Sequence, residues 1–227
     1  MTAVFVTSTG TDLGKTFVVR GLIKQLRARG RTVEALKPVI TGFDPRTAHA
    51  SDTGRLLAAL GRTLTPEHIA EVSPYRLREP VSPDLAARRE GTRVDFEALN
   101  AFCRSAVVRH KDALVIEGIG GIMVPLDERH TVLDWMIEID LPVILVTGSY
   151  VGALSHTLTA LDVLDRNDLK IAAVVVSETT DSAASLADTA DTIRRFAVGS
   201  GTEILALPRL LDATLDHPVM AAIADLM

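Results

Sequence analysis

Short apolar runs alternate with amphipathic stretches along most of the chain. The apolar runs predict six strands, at Ala3–Thr7, Thr32–Leu36, Ala113–Glu117, Pro142–Thr147, Ile171–Val176 and Glu203–Ala206. Most of them lack the alternation of apolar and polar residues that a strand with one wet face shows. They are therefore typical of strands that are covered on both faces of a parallel sheet.

Helix signals lie between these strands. Apolar residues recur on one face of Phe17–Arg29, and Gly30 follows as a stop signal. The same kinds of signal predict helices at Asp52–Leu60, at Phe96–Arg109 behind an Asp95 cap, from Ser155 to Leu164, and from the starts Thr65-Pro66 and Ser82-Pro83. The polar segment Thr41–Ser51 is predicted to be irregular.

The repeated β–α order predicts right-handed crossovers and an open α/β fold, with a mostly parallel sheet and helices on both faces. With 227 residues and 47% hydrophobic content, the chain suits a single domain over 1–227, although two small domains would also fit this length. Ligands bind beyond the carboxyl ends of the strands in such a sheet. Five candidate segments fall there: Gly10–Thr16, Lys37, Glu117, Gly148–Gly152 and Ser177–Glu178.

The net charge and the cysteine content disfavour a nucleic-acid-binding protein, a membrane-bound protein and a disulfide-rich protein. The net charge of −5 provides no general attraction to nucleic acid or to an anionic membrane. Cys103 is the one cysteine, and its apolar helical surroundings indicate a buried thiol rather than a disulfide or metal ligand. We see no signal-peptide pattern and no apolar run of about 20 residues that would span a membrane. The cytoplasm is the expected location.

The first strand leads into a loop that has the features of a phosphate site. It runs "VFVTSTGTDLGKTF", with Gly14-Lys15-Thr16 at the start of a helix. A helix N-terminus offers free N–H groups, the lysine can reach the β- and γ-phosphates of a nucleotide, and the threonine hydroxyl can bind Mg²⁺. Thr9 stands where the strict motif has glycine, so the match is partial, and a plain β–α turn with a surface lysine is the alternative.

Two charged residues end buried strands. Lys37 follows "TVEAL" and precedes Pro38, which favours an extended exit and a lysine that points into the ligand crevice. Glu117 ends "ALVIE", where the acidic partner of a phosphate loop is usually found. A solvated lysine and a turn-capping acid are the alternatives. Asp52 by itself reads as a helix N-cap more readily than as a metal ligand.

Longer segments of the chain resemble the dethiobiotin synthetase family. They lie in order from about residue 3 to 164, and "LALPRL" near the end is a looser match. The segments are "TSTGTDLGKT", "LKPVITG", "SPYRLREPVSPDLAARREG", "VIEGIGGIMVPL", "LDWMIEIDLPVILVTGS" and "VGALSHTLTA". The resemblance implies a P-loop NTPase-like fold and a ligase that consumes ATP with Mg²⁺, and it implies a homodimer whose active site lies near the interface.

The resemblance also implies residue roles. Lys37, Lys15 and Thr11 match catalytic positions, and Thr41, Gly120 and Ser155 match positions that bind the substrate. Thr16, Asp52 and Glu117 match Mg²⁺ ligands. The implied ATP site consists of Asp12, Leu13, Gly14, Lys15, Thr16, Phe17, Asp52, Glu117, Gly118, Gly120, Ser177, Glu178, Leu207, Pro208 and Arg209.

The chain departs from the family pattern at several of these places. The family usually has Gly at the position of Ser8 and an acidic residue at that of Gly10. It often has Asn-Asp, whose Asn reads adenine, in place of Ser177-Glu178, and Asn in place of Ser155. These departures predict a changed loop path, relaxed nucleotide selectivity and altered contacts to the substrate carboxylate.

The reaction implied by the resemblance joins 7,8-diaminononanoate and CO₂ or bicarbonate at the expense of ATP, and forms the ureido ring of dethiobiotin. It passes through a carbamate and a carbamic–phosphoric mixed anhydride. An ATPase switch of the partitioning or septum-site kind is the alternative from another class. The tail "DHPVMAAIADLM" has no basic residue, which disfavours membrane targeting of that kind. A related amidoligase-type synthetase is the alternative among enzymes.

Overall fold

The computed structural model describes residues 2–110, 112–180, 182, 184–197, 201–210 and 215–227. Their central feature is a six-stranded sheet in which every neighbouring pair is parallel, with the order β2-β5-β1-β6-β7-β8. A separate parallel pair consists of β3 and β4. The strands are β1 Thr2–Ser8, β2 Val33–Leu36, β3 Val39–Ile40, β4 Tyr75–Arg76, β5 Ala113–Glu117, β6 Val143–Gly148, β7 Ile171–Ser177 and β8 Glu203–Leu207.

Helices connect the strands. They are α1 Lys15–Ala28, α2 Asp52–Ala59, α3 Pro66–Val72, α4 Pro83–Arg89, α5 Phe96–Arg109, α6 Val132–Ile139, α7 Ala153–Arg166, α8 Leu186–Phe196 and α9 Pro218–Asp225, with a 3₁₀ helix at Pro45–Ala50. No helix in the described part of the chain is both long and apolar enough to cross a lipid bilayer.

The sheet is covered on both faces, and β1 shows how. Successive side chains of a strand point to opposite faces. Phe5 accordingly belongs to an apolar cluster that includes residues of α5, α6, α7 and α8, while Val4 and Val6 belong to a second cluster that includes residues of α1, α2 and α9. All three side chains are buried. Because both faces need apolar side chains, the central strands read as continuous apolar runs, and the predicted α/β class is confirmed.

Most predicted elements are present with ends displaced by one or two residues. Ala113–Glu117 and Phe96–Arg109 have their predicted bounds, the Asp95 carboxylate accepts the Ala98 N–H as an N-cap, and Cys103 is buried. The predicted start of one helix is wrong. Helix α7 begins at Ala153, after Gly152 in the left-handed conformation, so Ser155 lies within its first turn.

Other features differ from expectation or were not predicted. The segment predicted to be irregular contains the 3₁₀ helix, where Asp44 caps the N–H of Arg46. The helices α6, α8 and α9 and the two-residue strands β3 and β4 were not predicted.

Candidate active site

The phosphate loop joins β1 to α1 at the carboxyl edge of the sheet. Gly14 has φ +94° and lies at the N-cap of α1, and the first turn of this helix has no acidic residue. A side chain is disfavoured at that φ. Glycine also leaves the N–H groups of the first turn without a side-chain acceptor. The loop therefore provides donors and positive potential where an anion would bind.

Lys15 is folded back into this loop and is only 6% exposed. Its ammonium donates to Ser8 Oγ at 2.8 Å and to the carbonyls of Gly10 and Gly120, each at 3.1 Å. The loop lysine is thus buried and hydrogen-bonded, which contradicts the alternative of a surface lysine in a plain turn.

Lys37 follows β2 and is also buried. Its ammonium donates to Glu117 Oε1 at 2.8 Å and to the Gly118 carbonyl at 2.7 Å, and it lies 3.4 Å from Asp52 Oδ2. Thr16 Oγ1 donates to the same Glu117 oxygen at 2.8 Å. The alternatives of a solvated lysine and a turn-capping acid are therefore wrong, because the two side chains form one buried ion pair beside the phosphate loop.

The cluster shifts the pKa values of its members in opposite directions. Burial, followed by the positive charge of Lys37, lowers the pKa of Lys15 to about 8. Burial acts to lower the pKa of Lys37 as well, but the carboxylates of Glu117 and Asp52 outweigh it and raise that pKa. Burial acts to raise the pKa of Asp52, and the Lys37 charge outweighs it, so this pKa is lowered. Lys37 and Asp52 are therefore a charged pair at neutral pH.

The structure corrects the reading of Asp52 as a helix cap. Ser51 is the N-cap of α2, and its hydroxyl accepts the Gly54 N–H at 3.2 Å. Asp52 is instead the first residue of the helix, and its carboxylate faces Lys37. The side chain is partly exposed, so it is accessible from the cleft described next.

A cleft of about 470 Å³ opens over these groups. It brings together many of the predicted site residues: Thr11, Asp12, Gly14, Lys15, Thr16, Phe17, Lys37, Thr41, Asp52 and Gly120. Glu117, Leu13 and Gly118 lie behind this lining, since Glu117 and Leu13 are buried and the Gly118 carbonyl accepts from Lys37.

The sequence analysis missed four residues that line this cleft: Ile40, Arg55, Pro80 and Ile119. Arg55 lies three residues after Asp52, so helical spacing places it on the same side of α2. That spacing was the one available signal, because the other three residues come from separate segments that only the fold brings together.

A second group of predicted residues lies at the ends of β7 and β8. The Glu178 N–H donates to the Leu207 carbonyl and the Glu178 carboxylate accepts the Arg209 N–H, both at 2.9 Å. Ser177 Oγ lies 3.4 Å from the point that a Cβ on Gly14 would occupy. Ser177 is therefore adjacent to the phosphate loop, and Glu178 joins it to the segment 207–209.

Ser155 does not lie in the cleft. It is exposed in the first turn of α7, beside Val151, which is 77% exposed. The nearby Tyr150 hydroxyl and His156 Nδ1 are 2.8 Å apart. Within one chain, this predicted substrate residue is therefore separate from the lysines.

A larger cleft, of about 760 Å³, lies between α4, the start of α5 and the turn at 126–130. None of the predicted site residues lines it. The smaller cleft is the better candidate for the functional site, because it is lined by buried charged groups with shifted pKa values, which cluster at functional sites.

Known proteins similar to this chain share nearly its whole length. A family profile described as an AAA domain matches residues 2–217. The ATP-dependent dethiobiotin synthetase BioD of Caulobacter vibrioides is 46% identical over 210 residues, which are 92% of this chain and 93% of that protein. The enzyme of the same name from Acidiphilium cryptum is 44% identical over 178 residues, 78% of this chain and 80% of that protein. The chain belongs to the dethiobiotin synthetase family.

Membership in the dethiobiotin synthetase family makes this protein an ATP-dependent ligase of biotin synthesis, with ATP as co-substrate. Solved structures agree on the fold. The MinC:MinD cell division protein complex of Aquifex aeolicus matches with a TM-score of 0.58 and 15% identity, over all of this chain and 94% of that one. The cell division ATPase MinD of Pyrococcus furiosus matches with a TM-score of 0.56 and 16% identity, over 100% and 98%. At such identities the likeness shows a shared P-loop fold alone.

Proposed function

We propose that the protein carboxylates 7,8-diaminononanoate and closes the ureido ring of dethiobiotin through a carbamate and a mixed anhydride. The observation that carries this proposal is the convergence of two buried lysines, Lys15 and Lys37, on one cleft with Thr16 and Glu117. Lys15 lies in the phosphate loop after β1, and Lys37 directly follows β2. Such a pair suits a reaction that brings two anions together.

In the first step, an amine nitrogen of the diamine attacks the carbon of CO₂ and loses a proton, which leaves a carbamate anion. Thr11 and Thr41, which both line the cleft, are proposed to hold the diamine by their hydroxyls. No side-chain nucleophile takes part in this step. The protein's contribution is to orient the amine and to favour the negative charge that forms.

In the second step, a carbamate oxygen attacks the γ-phosphorus of ATP, the bond to the β-phosphate oxygen breaks, and ADP leaves. Two unit charges of like sign repel by about 4 kcal/mol at roughly 4 Å when the effective dielectric constant is near 20. Lys15 and Lys37 are proposed to offset this repulsion and to hold the groups in line.

In the third step, the second amine attacks the carbonyl carbon of the mixed anhydride, phosphate leaves with its bonding electrons, and the nitrogen loses a proton as the ring closes. A cationic site stabilises the departing phosphate. The same two ammonium groups therefore serve both the transfer and the release of the phosphoryl group.

The residues of the cleft also fit a Mg²⁺ ion. Glu117 Oε2 is buried and has no hydrogen-bond partner within the described part of the chain, although a buried carboxylate oxygen is costly to leave unpaired. The described residues hold no group of three or more His, Cys, Asp or Glu side chains at metal-binding distance. A Mg²⁺ ion, which favours few carboxylates together with hydroxyl, water and phosphate oxygens, would be held by Glu117, Asp52 and Thr16. It would supply positive charge at the phosphate oxygens.

The remaining predicted residues are proposed to bind the ends of the substrates. Ser177, Glu178 and the segment 207–209 would contact the base of ATP, and Gly118 and Gly120 would let the backbone approach the ligands. Ser155 is proposed to meet the diamine carboxylate across a homodimer interface, because its exposed position on α7 is separate from the cleft of its own chain.

The test is a coupled turnover assay with diaminononanoate, bicarbonate, Mg²⁺ and ATP. We expect one phosphate released for each ureido ring formed, and no release above background without the diamine. Phosphate release that ignores the diamine and rises with a protein or DNA partner would contradict this proposal. Omitting Mg²⁺ is expected to abolish both products together.

A further inference from the structure

All three N–H donors of the Lys15 ammonium group are used within the protein. A lysine ammonium has three donors, and here three acceptors lie within hydrogen-bond distance: Ser8 Oγ at 2.8 Å and the carbonyls of Gly10 and Gly120 at 3.1 Å. All three donors of the ammonium group are therefore matched by acceptors of the protein itself. Lys15 must therefore release at least one of these acceptors before it can donate to a phosphate.

Ser8 is the one side chain among the three acceptors. It ends β1, is fully buried, and its hydroxyl can donate its single proton to the carbonyl of Gly10 or of Gly120, the latter at 2.9 Å. With that proton committed, the hydroxyl oxygen faces Lys15 as an acceptor. A glycine at this position would supply no such acceptor.

The contacts around Ser8 join segments that are far apart in sequence. Ser8 is the last residue of β1, Gly10 belongs to the loop after it, and Gly120 belongs to the segment after β5. A Cβ on Gly121 would lie 3.1 Å from the Thr9 carbonyl, so these two segments are in close backbone contact. The folded-back lysine is thus held between them.

We propose that Ser8 is a latch that holds Lys15 away from nucleotide phosphates, and that nucleotide binding opens it. The inference rests on the proposed role of Lys15 in phosphate binding. A hydrogen bond to a charged group is stronger than one between neutral groups. Part of the binding free energy of the nucleotide is therefore consumed in breaking the bond between Ser8 and Lys15, and Ser8 lowers affinity for phosphate-rich nucleotides.

The test compares Ser8→Ala and Ser8→Gly with wild type by calorimetric titration of ATP and of AMP. Removing one charge-assisted hydrogen bond from the nucleotide-free state is expected to tighten ATP binding by about tenfold. AMP has no β- or γ-phosphate and makes no demand on Lys15, so its affinity is expected to stay the same. A general disturbance of the fold would change both affinities.

Thr7 offers a matched control. Its hydroxyl is as buried as that of Ser8 but has no hydrogen-bond partner among the described residues. Thr7→Val removes that hydroxyl at nearly constant volume and is expected to leave both affinities unchanged. Thermal unfolding of every variant checks that the fold is retained.

A double-mutant cycle separates failure of the latch from failure of the proposed phosphate role. If Lys15→Ala binds ATP like wild type, the phosphate role itself is wrong. If Lys15→Ala weakens ATP binding, the Ser8→Ala effect is expected to vanish in the Lys15→Ala background. Unchanged or weaker ATP binding in both Ser8 variants would overturn the latch alone, since it would mean that Ser8 does not oppose the nucleotide-bound position of Lys15.

Discussion

The groups around the phosphate loop and the start of α7 are built in opposite ways. Lys15, Lys37 and Glu117 are buried and hydrogen-bonded within one chain. The start of α7, residues 151–155, is largely exposed and includes the apolar side chains of Val151 and Leu154, 77% and 36% exposed. Both regions contain residues that we propose to bind substrate.

The contrast shows what each region requires. The ion pairs of Lys37 with Glu117 and Asp52 hold this lysine in place before any ligand arrives, which is the arrangement that favours stabilisation of a transition state. The second region has the apolar side chains of Val151 and Leu154 exposed to water. Under the proposed function, it becomes a binding site only when a second copy of the chain covers it, so the two proposed halves of the active site are expected to differ in their dependence on a partner.

The largest expected effect comes from Lys37→Ala. Loss of one preorganised charge aimed at a developing anion typically costs about 10²–10³ in kcat, and we expect the upper end because Lys37 is fully buried. ATP binding should remain, because Lys37 lies outside the phosphate loop. Single-turnover ring closure measures the first quantity and calorimetry with ATP the second.

Lys15→Ala is the paired variant, and it is expected to weaken nucleotide binding as well as turnover. A mutation that removes an interaction made mainly in the transition state lowers kcat, whereas one that removes an interaction made equally with the bound substrate raises KM. The assignment of roles is wrong if Lys37→Ala abolishes ATP binding yet closes the ring normally at saturating ATP.

The next largest effect tests the dependence of α7 on a partner. Val151→Glu would place a charge without a partner in the proposed interface, which typically costs roughly 3 kcal/mol or about a hundredfold in affinity. We expect a monomer in ultracentrifugation, loss of diamine turnover and unchanged ATP binding. Val108 is 84% exposed near the end of α5, so Val108→Glu is the matched control. Full turnover by a monomeric Val151→Glu protein would remove the contrast between the two regions.

The buried phosphate side was the more predictable half. Lys37 and Glu117 directly follow or end apolar runs, and those runs become adjacent parallel strands, β2 and β5. Once parallel order is assumed, their side chains are expected at one edge of the sheet. Ser8 was noticed only as a departure from the family, since its contact with Lys15 depends on how the loop folds back.

Features that depend on tertiary contacts escaped prediction. The helix α6, by contrast, reads "VLDWMIEI", in which the buried residues have helical spacing, and Thr131 and Asp134 form a capping box at its start. The signals for this helix were therefore present in the sequence. The strands β3 and β4 have two residues each, too few for a pattern. Asp52 was misread because Ser51 and Asp52 are both good caps, and only the position of Lys37 distinguishes them.

The third prediction concerns the pH dependence of ATP binding, which is expected to come from Lys15 in the buried region. Burial beside Lys37 lowers the pKa of Lys15 to about 8, so its ammonium is charged below that pH and becomes neutral above it. Bound phosphates favour the charged form. ATP binding should therefore take up a proton near pH 8–9, and affinity should fall by up to about tenfold per pH unit above pH 8.

Calorimetry in buffers of different ionisation enthalpy, without diamine, measures this uptake. Lys15→Arg keeps the positive charge but does not titrate in this range, so the uptake should disappear in that variant. Uptake that persists there would assign the proton to another group.

The smallest expected effect lies at the edge of the phosphate side, at Ser177. Its hydroxyl lies next to Gly14 and its neighbour Glu178 is bound to the segment 207–209, so the position is held from both sides. An asparagine can donate and accept toward adenine, whereas a serine hydroxyl is shorter. Ser177→Asn is therefore expected to raise the preference for ATP over GTP and CTP by the value of one neutral hydrogen bond, roughly 2- to 13-fold. Competition among the three nucleotides measures this preference.

A wild-type preference for ATP above about a hundredfold would exceed that value and assign base recognition to other groups. The diamine KM, which we propose to depend on the α7 side, should not change.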